Sequence, residues 1–342
     1  EEFDVHCCCL ERPGAFVERL PHPENVHVLG KKSGFSIESV VGLARLIRRL
    51  KPDVVHSHNL GPLIYSALGS GFGFSASVIQ GEHSLLTAEE CTPRRLRQRK
   101  LFYRACREIH TVSTQLRDQL LSLNFPANKI SVIVNGVDTH RFVPADVSAA
   151  RAKIGLEKLD PKAFVFGIVG RFGPFKRHAA LIEAFNIVAR DHSSVHLLIV
   201  GDGGPEKERV RQQGANSPVS DRIHFTGFQA DVLPFYQSMN LLVVPSENEG
   251  MSNAVLEAMS CGIPALAHQM CGNSEIIMPD LDGWISNLDS PEKLASELKN
   301  VLAVPAKLLK LKQMAREKVV TSFSIHTMVM QYATLYRRHV RN

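Results

Sequence analysis

Short apolar runs alternate with amphipathic stretches along almost the whole chain, and this rhythm restricts the fold more than any single residue does. A strand buried on both faces reads as a continuous apolar run, whereas a helix lying on it shows apolar positions every three or four residues. Repeated alternation of the two specifies βαβ units and parallel sheets. In the first half, strand-like runs occupy residues 3–9, 26–29, 53–57, 77–80, 108–112 and 130–134. Helical patterns lie between them, the clearest at 37–50 behind a possible N-cap at Ser36 and at 114–123 behind Ser113. From 143 to 162 the pattern breaks at Pro144 and Pro161, which reads as a domain connection. A second series follows, with strands at 164–169, 196–200, 222–226, 241–245 and 264–267, and a closing helix over 325–340 whose basic end includes Arg341.

With 342 residues, 44% of them apolar and 22% charged, the chain has material for two cores. No apolar stretch is long enough to span a membrane as a helix. The net charge of +6 suits an anionic ligand or an anionic membrane surface. Seven cysteines show no paired metal-ligand spacing; Cys7, Cys8 and Cys9 sit in a strand-like run and are expected to be small buried thiols. Reduced thiols and the lack of a signal-peptide pattern suggest a cytoplasmic setting.

In doubly wound α/β domains ligands bind at the carboxyl ends of the strands, so the loops there carry the candidates. After the run at 241–245 comes a polar loop with Glu249, then a short helix that Ser252 or Asn253 can cap and that stops near Gly262. Its free N–H groups and positive dipole end suit a phosphate. Glu249 ahead of the helix and Glu257 inside it suit the hydroxyls of a sugar and a ribose; the ordinary alternative is an acidic loop and a surface glutamate. The loop after 164–169 holds Gly170, Arg171 and Lys176. A glycine lets the backbone approach a ligand, and two cations can neutralise a departing diphosphate without a metal, or else form a solvated basic turn. Gly201-Asp202-Gly203-Gly204 lacks a dinucleotide fingerprint and reads as a structural turn. The backbone at Thr226-Gly227-Phe228 could meet a base edge. Asp280-Leu281-Asp282 reads as a surface turn, not a metal motif.

These pieces, taken together, resemble the family 4 retaining glycosyltransferases. Glu249 to Glu257 looks like that family's E-x7-E motif, and Gly170-Arg171 with Lys176 looks like its diphosphate loop. Gly201-Asp202-Gly203, Thr226-Gly227-Phe228, and Asn135-Gly136-Val137-Asp138 with Phe142 and Pro144 fall in the family's order, so the likeness covers the chain from about Asp53 onward. The resemblance implies a GT-B architecture: two doubly wound Rossmann-like domains facing a central cleft. The first would be the acceptor-side domain at 1–150, the second the donor-binding domain at 151–325, with a helix at 326–342 packing back on the first.

It further implies transfer of a sugar from a nucleoside diphosphate to a glycan or lipid-linked acceptor, with retention, no cofactor, no metal and no protein nucleophile. Glu249 would bind the transferred sugar, and Gly250, Met251 and Ser252 would offer N–H groups to sugar and phosphate. Glu257 would hold the ribose, while Arg171 and Lys176 would stabilise the leaving diphosphate. Gly170 and Phe228 would line the donor, His83 would match the histidine near the sugar, and Asn135 and Glu275 would join the site. His58 also follows a strand and is a weaker candidate. The segment Cys271-Gly272-Asn273-Ser274-Glu275 resembles a further family loop.

A basic stretch from Arg94 to Arg107 reads as a helix with Arg97, Lys100, Arg104 and Arg107 on one face, able to meet anionic lipid or simply solvated. No nucleic-acid-binding module accompanies it. The family's opening strand and Gly-rich loop are not found before Phe3, so the first domain is expected to be short at its start. That keeps two other readings open: a nucleotide-sugar epimerase on the same architecture, and a non-catalytic nucleotide-sugar-binding protein.

Overall fold

The computed structural model describes residues 2–14, 17–269 and 272–340. The chain divides into two compact units. The first gathers the residues up to Thr111, then Arg117–Val132 and those from Tyr332 onward; the second holds Val112–Leu116 and Ile133–Gln331. The division thus falls upstream of 150. The segment read as the domain connection lies within the second unit. It contains the helix Val147–Lys153, whose buried Arg151 donates to the carbonyls of Ala163 and Ser238 and to Asn240 Oδ1. The closing helix, Ile325–His339, belongs to the second unit at its start and to the first from Tyr332 on.

In the first unit β1 (Cys7–Cys9) pairs with β2 (Val26–Val28), while β3 (Val54–His58), β4 (Ser77–Glu82), β5 (Cys106–Thr111) and β6 (Ile130–Val132) form a parallel sheet in sequence order. The connecting helices are α1 (Ile37–Leu50), α2 (Leu60–Gly69), α3 (Pro93–Tyr103) and α4 (Thr114–Ser122). Ser36 caps α1 by accepting from the Ser39 N–H at 3.1 Å, and Leu43 and Ile47, one turn apart, are its buried side. Ser113 accepts likewise from Leu116 N at 3.2 Å.

Two expectations fail here. Cys7 and Cys8 are exposed on β1, which has a strand partner on one edge alone among the described residues. Cys271 lies outside the described residues. The basic helix stops at Tyr103, and Arg107 lies on β5, where its neighbours Cys106 and Glu108 pair with Val78 and Ile79 of β4. Arg99 is not part of the charged surface: it is 1% exposed and binds Glu82 at 2.6 Å and Glu90 at 3.1 Å. Every residue of β4 is buried, so Glu82 carries a charge into the core and needs this partner. Its Oε1 also accepts from the Tyr103 hydroxyl at 2.6 Å and Gln80 at 3.0 Å.

Gly81 of β4 pairs with His58 on β3 and His110 on β5. A Cβ there would lie 2.7 Å from His110 Nε2 and 3.0 Å from His83 Nε2, so the missing side chain lets imidazoles close over the strand. His56 Nε2 meets His110 Nε2 at 2.9 Å, His58 Nδ1 meets His83 Nε2 at 2.8 Å, and the Tyr336 hydroxyl meets His56 Nδ1 at 2.9 Å. Burial and mutual crowding hold His56 down to about 2 and His110 to about 3. His58 is drawn to about 4 and His83 is lowered by burial.

The second unit carries a six-stranded parallel sheet in the order β12-β11-β10-β7-β8-β9. Its strands are β7 (Phe164–Val169), β8 (Val195–Val200), β9 (Ile223–Phe225), β10 (Leu241–Val244), β11 (Ala265–His268) and β12 (Trp284–Ser286). The last of these gave no clear run in the sequence, being short and half-buried at the sheet edge. The helices are α5 (Val147–Lys153), α6 (His178–Asp191), α7 (Lys207–Ala215), α8 (Leu233–Ser238), α9 (Asn253–Ser260), α10 (Pro291–Leu302), α11 (Pro305–Ser322) and α12 (Ile325–His339). Phe166, Ile168, Leu197, Ile199 and Val243 meet Leu181, Phe185 and Leu298 in one core. None of the described helices is long and apolar enough to cross a membrane.

Removing Arg99 leaves the Glu82 carboxylate buried without a cation, so Arg99→Met should lower stability to urea by about 3 kcal/mol. Adding Glu82→Gln should restore much of that loss, and a double variant no more stable than the single one would contradict the account. The histidines predict a pH dependence. Unfolded histidine titrates near 6.5, above the folded values, so the unfolded chain binds more protons below that point. The stabilisation is complete above about pH 7.5 and is lost as pH falls through 6.5 towards the folded values. His56 and His110 together should remove roughly 2–4 kcal/mol between about pH 7 and pH 5. His110→Gln should flatten the curve by close to one proton; an unchanged slope would assign the effect elsewhere.

Candidate functional site

In the second sheet the chain runs from β7 through β8 to β9 on one side, then crosses to β10 and runs through β11 to β12 on the other. The connections leaving β7 and β10 therefore part in opposite directions and open a crevice at the strands' carboxyl ends. Two of the sequence-derived candidate loops leave from those two strands. They are tied together by the Glu247 N–H donating to the Phe175 carbonyl at 3.0 Å and by the Arg177–Glu247 ion pair at 3.1 Å. There the Lys176 ammonium donates to Glu249 Oε1 in a half-buried ion pair. Residues separated by a domain's width of sequence thus meet where the topology leaves room.

Arg171 lies exposed on the same β7 connection, and its guanidinium has no ion-pair or hydrogen-bond partner among the described residues. The backbone beside it is crowded. A Cβ on Gly201 would fall 2.1 Å from the Gly170 carbonyl oxygen, so the β8 turn must be glycine to lie against the β7 loop. Gly201-Asp202-Gly203-Gly204 thereby supports the loop: the Phe172 N–H donates to the Gly203 carbonyl at 2.8 Å. Gly201 N in turn donates to the Gly227 carbonyl at 3.1 Å. The adjoining Phe228 ring is 63% exposed.

After β10 the chain turns through Gly250, Met251 and Ser252 into α9. All three are buried, and among the described residues no acceptor takes their N–H groups. The Ser252 side chain makes no capping bond to the helix. Buried N–H groups normally find partners, so unused ones at a helix N-terminus form a ready anion site. The turn is held from behind. Asn135 donates to the Met251 carbonyl at 3.3 Å and to Asn253 Oδ1 at 3.0 Å, so its amide is spent on supporting the turn. A Cβ on Gly272 would lie 1.9 Å from the Gly250 carbonyl oxygen. At its far end α9 stops at Gly262, in the left-handed region at φ 71°, with the Ile263 N–H returning to the Ala258 carbonyl at 2.9 Å.

Glu257 lies one turn into α9. Burial raises its carboxyl above the usual range, opposed by the Tyr236 hydroxyl, which donates to Oε2 at 2.7 Å. Sequence reasoning missed Tyr236, because an aromatic residue in a short apolar helix reads simply as core. Glu275 is committed elsewhere: its oxygens accept from Thr114 N at 2.8 Å and Gln115 N at 2.9 Å, capping the start of α4. Asp280 pairs with Lys307, and the buried Asp282 accepts from Met278 N at 2.7 Å and pairs with Lys318 at 3.0 Å, so both serve a turn. In the first unit His58 and His83 hydrogen-bond each other at the ends of β3 and β4, as neutral imidazoles.

Comparison with known proteins identifies the family and the fold. Residues 1–141 match the model of Glycosyltransferase Family 4, and residues 151–318 match that of Glycosyl transferases group 1. The UDP-Gal:alpha-D-GlcNAc-diphosphoundecaprenol alpha-1,3-galactosyltransferase of Escherichia coli is 26% identical, over 98% of this chain and 89% of that protein. The D-inositol 3-phosphate glycosyltransferase of Segniliparus rotundus is 29% identical, over 75% of this chain but only 60% of that protein. Among solved structures, Anabaena Alr3699/HepE in complex with UDP-glucose superposes with a TM-score of 0.84 at 21% identity, covering 96% of this chain and 90% of the other. The sucrose-phosphate synthase of Thermosynechococcus elongatus gives 0.76 at 22% identity, covering 92% and 82%. Parallel Rossmann-like units, the loops at the β7/β10 divergence and both family models lead to one conclusion: the chain belongs to the family 4 glycosyltransferases and has the GT-B fold.

Proposed function

We propose that this glycosyltransferase takes its sugar from a nucleoside diphosphate bound at the β7/β10 divergence and passes it, with retention and without a metal, to a glycan or lipid-linked acceptor. The observation that carries this reading is that the N–H groups of the buried residues Gly250, Met251 and Ser252 have no acceptor among the described residues, beside the Lys176–Glu249 pair. A diphosphate would draw Lys176 from Glu249, and Arg171 and the start of α9 would share its charge. Glu249, released, would accept from hydroxyls of the transferred sugar, and Glu257 from the ribose. Exposed Phe228 and the backbone at Gly227 follow β9, two strands from β7, where a base could rest.

In the reaction the bond from the anomeric carbon to the diphosphate oxygen breaks as the acceptor oxygen bonds to that carbon on the same face. The acceptor proton goes to the leaving phosphate, whose charge Arg171, Lys176 and the N–H groups stabilise. Those cations supply what a metal would otherwise provide. His83 offers a neutral imidazole suited to a sugar hydroxyl. The donor and acceptor named for the Escherichia coli relative, and the UDP-glucose bound by the Anabaena protein, favour a UDP-sugar and a lipid diphosphate as first substrates to try.

The basic surface adds a setting, the cytoplasmic face of a membrane. Arg94, Arg95, Arg97 and Arg104 are exposed and unpaired with any carboxylate among the described residues. Beside them Phe72 stacks on Phe102 of α3 at 6.1 Å, and Phe74 on the same turn is 90% exposed. Cations next to exposed aromatic rings suit an anionic bilayer.

With UDP-sugars and lipid-diphosphate or glycan acceptors, the products should be free UDP and a new glycoside. Lys176→Ala or Glu249→Gln should cut kcat by about 100-fold or more. Rates near the parent's would remove these residues from the reaction, and an altered nucleotide-sugar in place of UDP would indicate epimerisation. In sedimentation with vesicles, the full chain should bind phosphatidylcholine containing phosphatidylglycerol and not phosphatidylcholine alone, with salt releasing it. Arg94→Glu/Arg97→Glu should abolish that binding and Phe72→Ser/Phe74→Ser should weaken it about tenfold; equal binding to both vesicle types would end the membrane assignment.

A further inference from the structure

Tyr236 is a fully buried side chain whose hydroxyl is directed at a residue assigned to the donor. It is 0% exposed, and its hydroxyl donates to Glu257 Oε2 at 2.7 Å. A buried hydroxyl left without an acceptor is costly, so this bond is firmly held. The ring cannot easily withdraw, because it rests edge-on against Phe142 at 6.1 Å. Phe142 is itself anchored by its carbonyl, which accepts from Ser260 Oγ at 2.7 Å and from Arg316 at 2.6 Å. Among the described residues Glu257 Oε1 has no partner. The carboxylate is therefore pinned through one oxygen and open at the other.

We propose that Tyr236 is a positioning residue for ribose recognition: by occupying Oε2 of Glu257 it fixes the carboxylate so that its remaining acceptor capacity meets the 2′- and 3′-hydroxyls of the donor. This rests on the reading that Glu257 holds the ribose. A vicinal diol presents two donors in fixed geometry, and a carboxylate free to rotate would lose entropy in meeting them. Pinning it in advance makes the site selective for a ribonucleotide over its 2′-deoxy analogue, which leaves one acceptor position unmatched. The hydrogen bond also opposes protonation of the acid. Burial pushes the Glu257 carboxyl up, and the Tyr236 hydroxyl, with Arg141 at longer range, pulls it down. The other titratable neighbour is Cys261 at the end of α9, a thiol that burial pushes up to about 12 and so keeps neutral. Loss of the Tyr236 hydroxyl should thus move carboxyl protonation to higher pH and weaken binding on the acid side.

The test is calorimetry on the full chain with UDP and with 2′-deoxy-UDP across pH. The parent should favour UDP by about tenfold or more. Tyr236→Phe should weaken UDP by several-fold, shrink that preference to about twofold or less, and shift the acid limb of UDP binding upward. A role confined to packing would alter the melting temperature without moving the preference or the limb. If Tyr236→Phe does not fold, Glu257→Asp serves instead: it keeps the charge but withdraws it from Tyr236, and should lose the preference as well. An unchanged preference in either variant overturns the proposal. Glu257→Gln separates the two levels: if it too leaves the preference unchanged, the ribose assignment falls, whereas if it alone abolishes the preference only the role of Tyr236 falls.

Discussion

The divergence of β7 and β10 is the constraint around which the second unit is arranged. A parallel sheet wound in two directions has one place where adjacent strands send their connections apart, and a void there is unavoidable. Lys176 and Glu249 face each other across it. Each charge, half-buried alone, would be disfavoured by lost hydration; paired, they neutralise each other while the site is empty. A ligand carrying both a diphosphate and a hydroxylated ring can replace each half of the pair with a better partner.

The rest of the site follows from how closely backbone must approach backbone. Gly201 against Gly170 and Gly272 against Gly250 allow neighbouring strand ends to touch where any Cβ would collide. These contacts stiffen the turn before α9, whose N–H groups have no acceptor among the described residues. Asn135 and Glu275, both suggested by motif as site residues, make scaffold contacts, one holding the turn and the other capping α4. A polar residue near a site is as often spent on its shape as on its substrate.

The first unit solves a different problem. Its central strand β4 is buried throughout, so the chemistry it carries must be satisfied from neighbouring elements. Arg99, Tyr103 and Gln80 surround Glu82, and His110 of β5 and His83 just after β4 close over Gly81. Both clusters make the unit sensitive to charge. A helix that reads as uniformly basic therefore has two roles, with Arg99 facing inward to a carboxylate and Arg94, Arg95 and Arg97 outward.

Alternation of apolar runs with amphipathic helices was enough to specify parallel α/β units, and α1 has the bounds its pattern gave, Ile37 to Leu50. The order of Gly170, Arg171, Lys176, Glu249 and Glu257 was enough to name the family, because its loops recur in sequence even where identity is low. Such features are local: period, cap and motif depend on near neighbours along the chain. What the sequence left undetermined depended on partners far away in it. Only tertiary structure turned Cys7 and Cys8 outward, ended α3 at Tyr103, gave Arg99 to Glu82, spent Glu275 on α4 and set Tyr236 against Glu257. The burial and hydrogen bonding of a side chain are set by what the fold brings beside it, and no spacing along the chain encodes that.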